Sequence, residues 1–116
     1  MKSYKTPLRY PGGKSRACTK MDPFFPDLRD YKEYREPFLG GGSVAIHITK
    51  KYPHLDIWVN DLYEPLYNFW RVLQDDGRAL YERLQDLKSR HPNEESAREL
   101  FLESKDIVNA YTESNL

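Results

Sequence analysis

Cysteine is almost missing from this sequence. Cys18 stands alone, so no internal disulfide can form, and the chain suits a reducing compartment. An excess of charge of either sign is missing too. The 18 basic and 18 acidic side chains cancel, so total charge announces no nucleic-acid-binding surface, although a local patch stays compatible with it. No apolar run approaches the roughly 20 residues of a membrane helix, and the N-terminus lacks the apolar core of a signal peptide. The histidines are scattered and, with one cysteine, show no zinc-ligand spacing. These absences argue against a secreted disulfide scaffold, a helical membrane protein and a structural zinc module.

Charge, aromatic rings and glycine turns are what the sequence does contain. Charged residues make up 31% and hydrophobic ones 39% of the 116 positions. Mean hydropathy is −0.83, which places the composition between a well-cored domain and a polar fragment, one domain at most. Aromatic side chains reach 14%. They gather at Tyr31, Tyr34 and Phe38, and again at Tyr63, Tyr67, Phe69 and Trp70, where core packing and amphipathic surface are their expected uses.

The chain changes character near residue 62. Before it lie nearly all the glycines and most of the prolines, the signature of loops, short strands and tight turns. After it come charged, leucine-punctuated helical stretches. Residues 15–21 read as a short helix ended by Pro23 and Pro26. A strand weakened by its own proline is expected over Tyr34–Leu39. Gly40-Gly41-Gly42 is a turn, and Ser43–Tyr52 a short helix. Ile57-Trp58-Val59 reads as a buried strand. A helix opens at Asn60-Asp61, with Pro65 in its first turn and an apolar face of Leu62, Leu66, Phe69, Trp70 and Leu73. Asp75-Asp76-Gly77 stops it. Another helix spans Ala79–Ser89, and Asn93 caps a last one running through Ile107. The expected architecture is α/β, with a first βαβ unit followed by helices. Two parallel strands do not bury both faces of a sheet, so the unit needs a partner or more chain.

Gly40-Gly41-Gly42-Ser43-Val44-Ala45 matches G-x-G-x-x-G/A between a strand and a helix. Asp61 closes the following strand at the spacing of about 20 residues that such a pattern requires. Glycines admit a ligand to the backbone, the helix start offers N–H groups, and the acid grips ribose hydroxyls. Without a ligand, the same residues make a tight turn, with Asp61 as an N-cap beside Glu64. Asp61 can serve both ends if capping and ribose binding use different oxygens. Glu36 lies just before the turn. A carboxylate there suits a cationic amino-acid group and repels a pyrophosphate, which favours S-adenosylmethionine over NAD. Pro11-Gly12-Gly13-Lys14-Ser15 falls short of a phosphate loop, because Leu8 stands where that pattern needs glycine. Its glycine pair would still let Lys14 and Tyr10 fold over a neighbouring pocket.

Three blocks together resemble the N-terminal part of the Dam-like (D12 class) DNA adenine-N6 methyltransferases. Pro7-Leu8-Arg9-Tyr10-Pro11-Gly12-Gly13-Lys14 looks like the family's aromatic-x-Gly-Gly-Lys motif. Arg35-Glu36-Pro37-Phe38-Leu39-Gly40-Gly41-Gly42-Ser43-Val44 is similar to its E-P-F-x-G-x-G-S motif. Val59-Asn60-Asp61-Leu62-Tyr63-Glu64-Pro65-Leu66 looks like its D-x-N block, followed by Leu66-Tyr67-Asn68. The resemblance implies a partial Rossmann-like S-adenosylmethionine-dependent methyltransferase fold. Residues 1–62 would be its cofactor-binding part and 63–116 the start of a helical target-recognition domain. It implies that Tyr10 and Lys14 line the methionine end, and that Glu36 sits near the amino-acid group. Phe38, Gly40 and Gly42 would form the floor, Asp61 would take the ribose, and Leu62 would pack on adenine. It also implies double-stranded DNA as partner, no metal, and a bacterial or phage protein of the cytoplasm.

The family's catalytic Asp-Pro-Pro-Tyr is not in the sequence. Asp22-Pro23-Phe24-Phe25 shares its first two residues and keeps an aromatic at the fourth, but it precedes the glycine motif and reads as a linker. The chain by itself is therefore expected to be catalytically silent. A cofactor-binding remnant or split subunit, and an NAD-binding unit, are the competing readings.

Overall fold

The computed structural model describes residues 5–8 and 17–114. Tyr10 and Lys14 lie outside the described residues. Two compact units divide the chain, Met1–Tyr67 and Asn68–Leu116.

The first unit is mixed helix and strand. Helix α1 (Cys18–Met21) runs directly into a 3-10 turn over Asp22–Phe24. Pro23 sits in the first turn of that 3-10 segment, where its missing N–H costs nothing. The extended backbone at Phe25, φ −80° and ψ 141°, is what the following Pro26 imposes, and it ends the helical path. Strand β1 is Glu33–Glu36, helix α2 is Ser43–Lys51 and strand β2 is Asp56–Val59. The strands pair in parallel, Glu33 opposite Asp56 through Glu36 opposite Val59, with α2 as the crossover. The strand expected through Leu39 stops at Glu36. The Glu36 carbonyl still accepts the Asn60 N–H at 2.9 Å, but the bond back to the Asn60 carbonyl comes from the Leu39 N–H at 2.8 Å, one residue later than a regular parallel ladder would place it.

The core lies on the α2 face of the sheet. Ile48, Tyr52 and Leu55 form its buried centre, with Phe25, Leu28, Tyr34 and Val44 packed against them. Several residues of α2 are β-branched and favour strands by propensity. Burial of Ala45 and Ile48 against the sheet overrides that preference. The expectation that β2 is a buried strand fails, since Ile57 is 36% and Trp58 49% exposed. Trp58 stands on the opposite face, beside Arg35, whose guanidinium lies 6.0 Å from the ring centroid. Among the described residues the sheet has two strands, so one layer of helix covers one face only. For the same reason core packing fails for Tyr31, Phe38, Tyr63 and Tyr67, all of which are exposed.

Helix α3 (Glu64–Arg90) begins in the first unit and continues in the second. Its backbone leaves helical geometry at Asp76, φ −153° and ψ 63°. The stop read at Asp75-Asp76-Gly77 is thus a break between two helical segments rather than a loop. Asp76 Oδ1 accepts the Ala79 N–H at 3.2 Å and caps the second segment. Helix α4 (Glu94–Ser114) is longer than expected. Its cap is the expected one: Asn93 Oδ1 accepts the Ser96 N–H at 2.8 Å. Arg78 pairs with Glu82 and Arg90 with Asp86 at i, i+4 spacing, a solvated helix surface. No helix among the described residues is long and apolar enough to cross a membrane.

Candidate functional site

Parallel pairing puts the carboxyl ends of β1 and β2 side by side, so the loops that leave them share one end of the sheet. In open α/β sheets this is the end where ligands gather. The β1 loop is the glycine turn. Gly40 and Gly42 have φ of 56° and 79°, the left-handed region that a Cβ disfavours. Two positive φ values in three residues reverse the chain within a few ångströms. The Gly42 N–H closes the turn on the Leu39 carbonyl at 3.0 Å, and the Gly42 carbonyl accepts the Ile46 N–H at 3.0 Å to begin α2. Gly42 is thus the N-cap of α2, with no side chain in the way.

Asp61, from the β2 loop, closes on this turn. Its Oδ2 accepts the Gly40 N–H at 2.9 Å, and its Oδ1 accepts the Tyr63 N–H at 3.0 Å. The second bond is an Asx turn, not a helix cap. The first α3 bond runs from the Tyr67 N–H to the Tyr63 carbonyl, so Tyr63 occupies the cap position. The expectation that one oxygen is left over is corrected, because both already hold a backbone N–H. Each oxygen keeps a second lone-pair direction for a hydroxyl donor.

Glu36 ends β1, and Tyr34, two residues earlier on the same face, donates its hydroxyl to Glu36 Oε2 at 3.2 Å. Burial, then the Glu36 charge and this hydrogen bond, push the Tyr34 phenol up from 10.0 to about 12. Phe38 is 83% and Leu62 92% exposed, one in each loop. Leu39, 9% exposed, is buried at the turn.

The structure thus bonds Gly40 to Asp61 directly, keeps Gly42 in the same turn, and sets Glu36, Phe38 and Leu62 at the same sheet end. Two further residues touch the site. The Thr6 hydroxyl donates to the Gly41 carbonyl and accepts the Leu8 N–H at 3.2 Å. Tyr34 is legible as the i−2 neighbour of Glu36 on a strand, whereas nothing local marks Thr6, whose partner is 35 residues away.

Asp22 of Asp22-Pro23-Phe24-Phe25 points elsewhere. Its carboxylate meets His47 Nε2 and Lys51 Nζ, both at 2.8 Å. The hydrogen bond from Lys51, then that from His47, lower its acid from the usual value. The segment pins the connector to the later turns of α2, away from the glycine turn, as suits a linker.

The described residues form a mixed helix and strand protein in which a glycine turn and a carboxylate are bonded to each other at the carboxyl end of a parallel strand pair, an arrangement able to accept a ligand that approaches backbone and donates hydroxyls. The family is definite. Residues 10–115 match the family model of the D12 class N6 adenine-specific DNA methyltransferases, and the chain belongs to that family. It is similar to the Type II methyltransferase M.MjaIII of Methanocaldococcus jannaschii, 29% identical over 107 residues. That match takes in 88% of this chain and 37% of the relative's length.

Proposed function

We propose that this chain is the cofactor-binding part of a site-specific DNA adenine-N6 methyltransferase that uses S-adenosyl-L-methionine. The observation that carries the reading is the bond from the Gly40 N–H to Asp61 Oδ2, which makes glycine turn and acid one site. Family membership and the match to a Type II methyltransferase support it.

The residues present fit the cofactor. Asp61 is partly exposed and keeps lone pairs for two ribose hydroxyls. Glu36 offers a carboxylate to a cationic amino group, held by Tyr34. Leu62 and Phe38 expose apolar surface for adenine at the same sheet end. Gly40 and Gly42 let the ligand lie against backbone. Tyr10 and Lys14 complete the methionine end in this reading. Two acids at one site repel a pyrophosphate, which counts against NAD. When bound, S-adenosylmethionine supplies a methyl group activated on a sulfonium. In the fold we infer, partly Rossmann-like, residues 1–62 hold the cofactor and 63–116 begin a helical part that reads double-stranded DNA. The target adenine would be flipped from the duplex. The sequence holds no Asp-Pro-Pro-Tyr to orient the adenine amino group, so the chain alone binds cofactor without transferring methyl. It acts in the cytoplasm of a bacterial or phage-infected cell.

Calorimetry with S-adenosylmethionine tests this. The chain should bind it, Asp61→Ala should not, and NAD should give no heat. Absence of S-adenosylmethionine binding by the unsubstituted chain removes the reading. Methylation of adenine-containing DNA by the pure chain removes its catalytic half.

A further inference from the structure

We propose that Thr6 is a positioning residue of the cofactor site, setting the orientation of the Gly41–Gly42 peptide through its hydroxyl. The functional consequence rests on the methyl-donor reading above; the structural assignment does not.

The turn itself leaves a choice open. Gly40 and Gly42 have φ of 56° and 79°, and Gly41 lies between them. A peptide unit flanked by residues without Cβ meets little steric resistance to rotation, so sequence alone leaves its direction open. Hydrogen bonds must choose it. The N–H of this peptide, from Gly42, donates to the Leu39 carbonyl at 3.0 Å. The C=O of the same peptide, from Gly41, points the other way and accepts the Thr6 hydroxyl. Gly41 and Gly42 are both buried, so a carbonyl left without this donor would lack its described partner in a desolvated place. A flipped peptide would turn the carbonyl toward Leu39, where it meets another acceptor.

Thr6 is suited to the task. Its Oγ1 accepts the Leu8 N–H at 3.2 Å, which directs the hydroxyl proton away from Leu8 and toward Gly41. Its branched Cβ restricts χ1 and so holds the oxygen in place. Asp61 fixes the preceding residue of the turn from the opposite loop, through the Gly40 N–H at 2.9 Å. Thr6 and Asp61 therefore clamp adjacent parts of one turn from two distant points of the chain, 35 residues from Gly41 and 21 from Gly40. The backbone that would face the cofactor is preorganised by both.

The test uses the isotope-labelled 116-residue chain, with Thr6→Val, Thr6→Ala and Thr6→Ser. Amide exchange of Gly42 reads the peptide, exchange of Ile48 reads the fold, and titration with S-adenosylmethionine reads the site. In the valine and alanine variants Gly42 should exchange roughly tenfold faster while Ile48 is unchanged, and affinity should fall roughly tenfold. Serine, which keeps the hydroxyl, should restore both. Unchanged Gly42 exchange overturns the proposal. So does faster exchange with undiminished affinity, or a serine variant that behaves as valine. If the unsubstituted chain binds no S-adenosylmethionine, the methyl-donor reading falls, and Gly42 exchange with its serine rescue decides the Thr6 assignment on its own.

Discussion

Asp61 and Gly40 lie 21 residues apart and are joined by one hydrogen bond of 2.9 Å, from the glycine N–H to a carboxylate oxygen. The acid thus has a structural duty before any ligand arrives. Asp61→Ala should lower stability by about 1–2 kcal/mol in urea unfolding, because two backbone N–H groups lose their acceptor. Asp61→Asn keeps one carbonyl oxygen and should recover part of that loss. Cofactor affinity should fall at least roughly tenfold in both, since neither variant keeps the charge that strengthens a hydrogen bond from a hydroxyl. Equal affinity in the Asp61→Asn variant and the unsubstituted chain, measured by calorimetry, would refute the ribose role.

Gly42 holds φ at 79° and caps α2. A side chain there has to adopt the left-handed region, at a cost of about 1–2 kcal/mol. Gly42→Ala should lose that much in a denaturant titration. Gly42→Asn should lose less, because asparagine tolerates this region better.

Asp22 bridges His47 and Lys51 of α2, and its acid is held below 3.8 by Lys51 first and His47 second. A depressed folded-state pKa stabilises the fold above the unfolded value and stops doing so as pH falls through the folded one. Melting temperature should therefore drop on acidification below pH 3.8. Asp22→Asn should melt lower than the unsubstituted chain near neutral pH and show a shallower acid limb.

Tyr34 works in the opposite range. Its phenol is raised from 10.0 to about 12, burial being the largest cause and Glu36 the next. A raised pKa stabilises fully below the unfolded value and is lost as pH climbs through the folded one. Alkaline unfolding should thus set in between pH 10 and about 12, and phenolate absorbance should show one tyrosine titrating late. Tyr34→Phe removes that late titration. It should also weaken cofactor binding several-fold by removing the hydroxyl that helps orient the Glu36 carboxylate.

Ile48 is 3% exposed at the centre of the small core. Ile48→Ala should cost about 2–4 kcal/mol by lost burial and a residual cavity. In a unit with so few buried side chains, circular dichroism should show partial unfolding near room temperature rather than a mere shift in melting.

Local chemistry explains which elements are readable in advance. Asn93 announces a helix start, and its Oδ1 does cap α4. The helix after the glycine turn is bracketed by that turn and by Pro53 beyond its end, although its β-branched residues do not favour it. The break at Asp75-Asp76-Gly77 is readable as a stop, though not that Asp76 would cap the next segment without a loop. Burial is not readable. Ile57-Trp58-Val59 has the composition of a buried strand, yet Trp58 is half exposed. Composition reports what a residue prefers, and burial depends on whether a second layer exists to cover it.

The amino-acid order by itself determined the family, the parallel βαβ pattern, and the pairing of a glycine turn with an acid one strand later. Those depend on residue type and spacing, which the chain carries locally. Only the tertiary structure decided that both Asp61 oxygens are engaged, that Tyr34 holds Glu36, and that Thr6 reaches Gly41. Such bonds depend on which strand ends the parallel register brings together and on how the backbone aims each side chain, and neither is written in residue type.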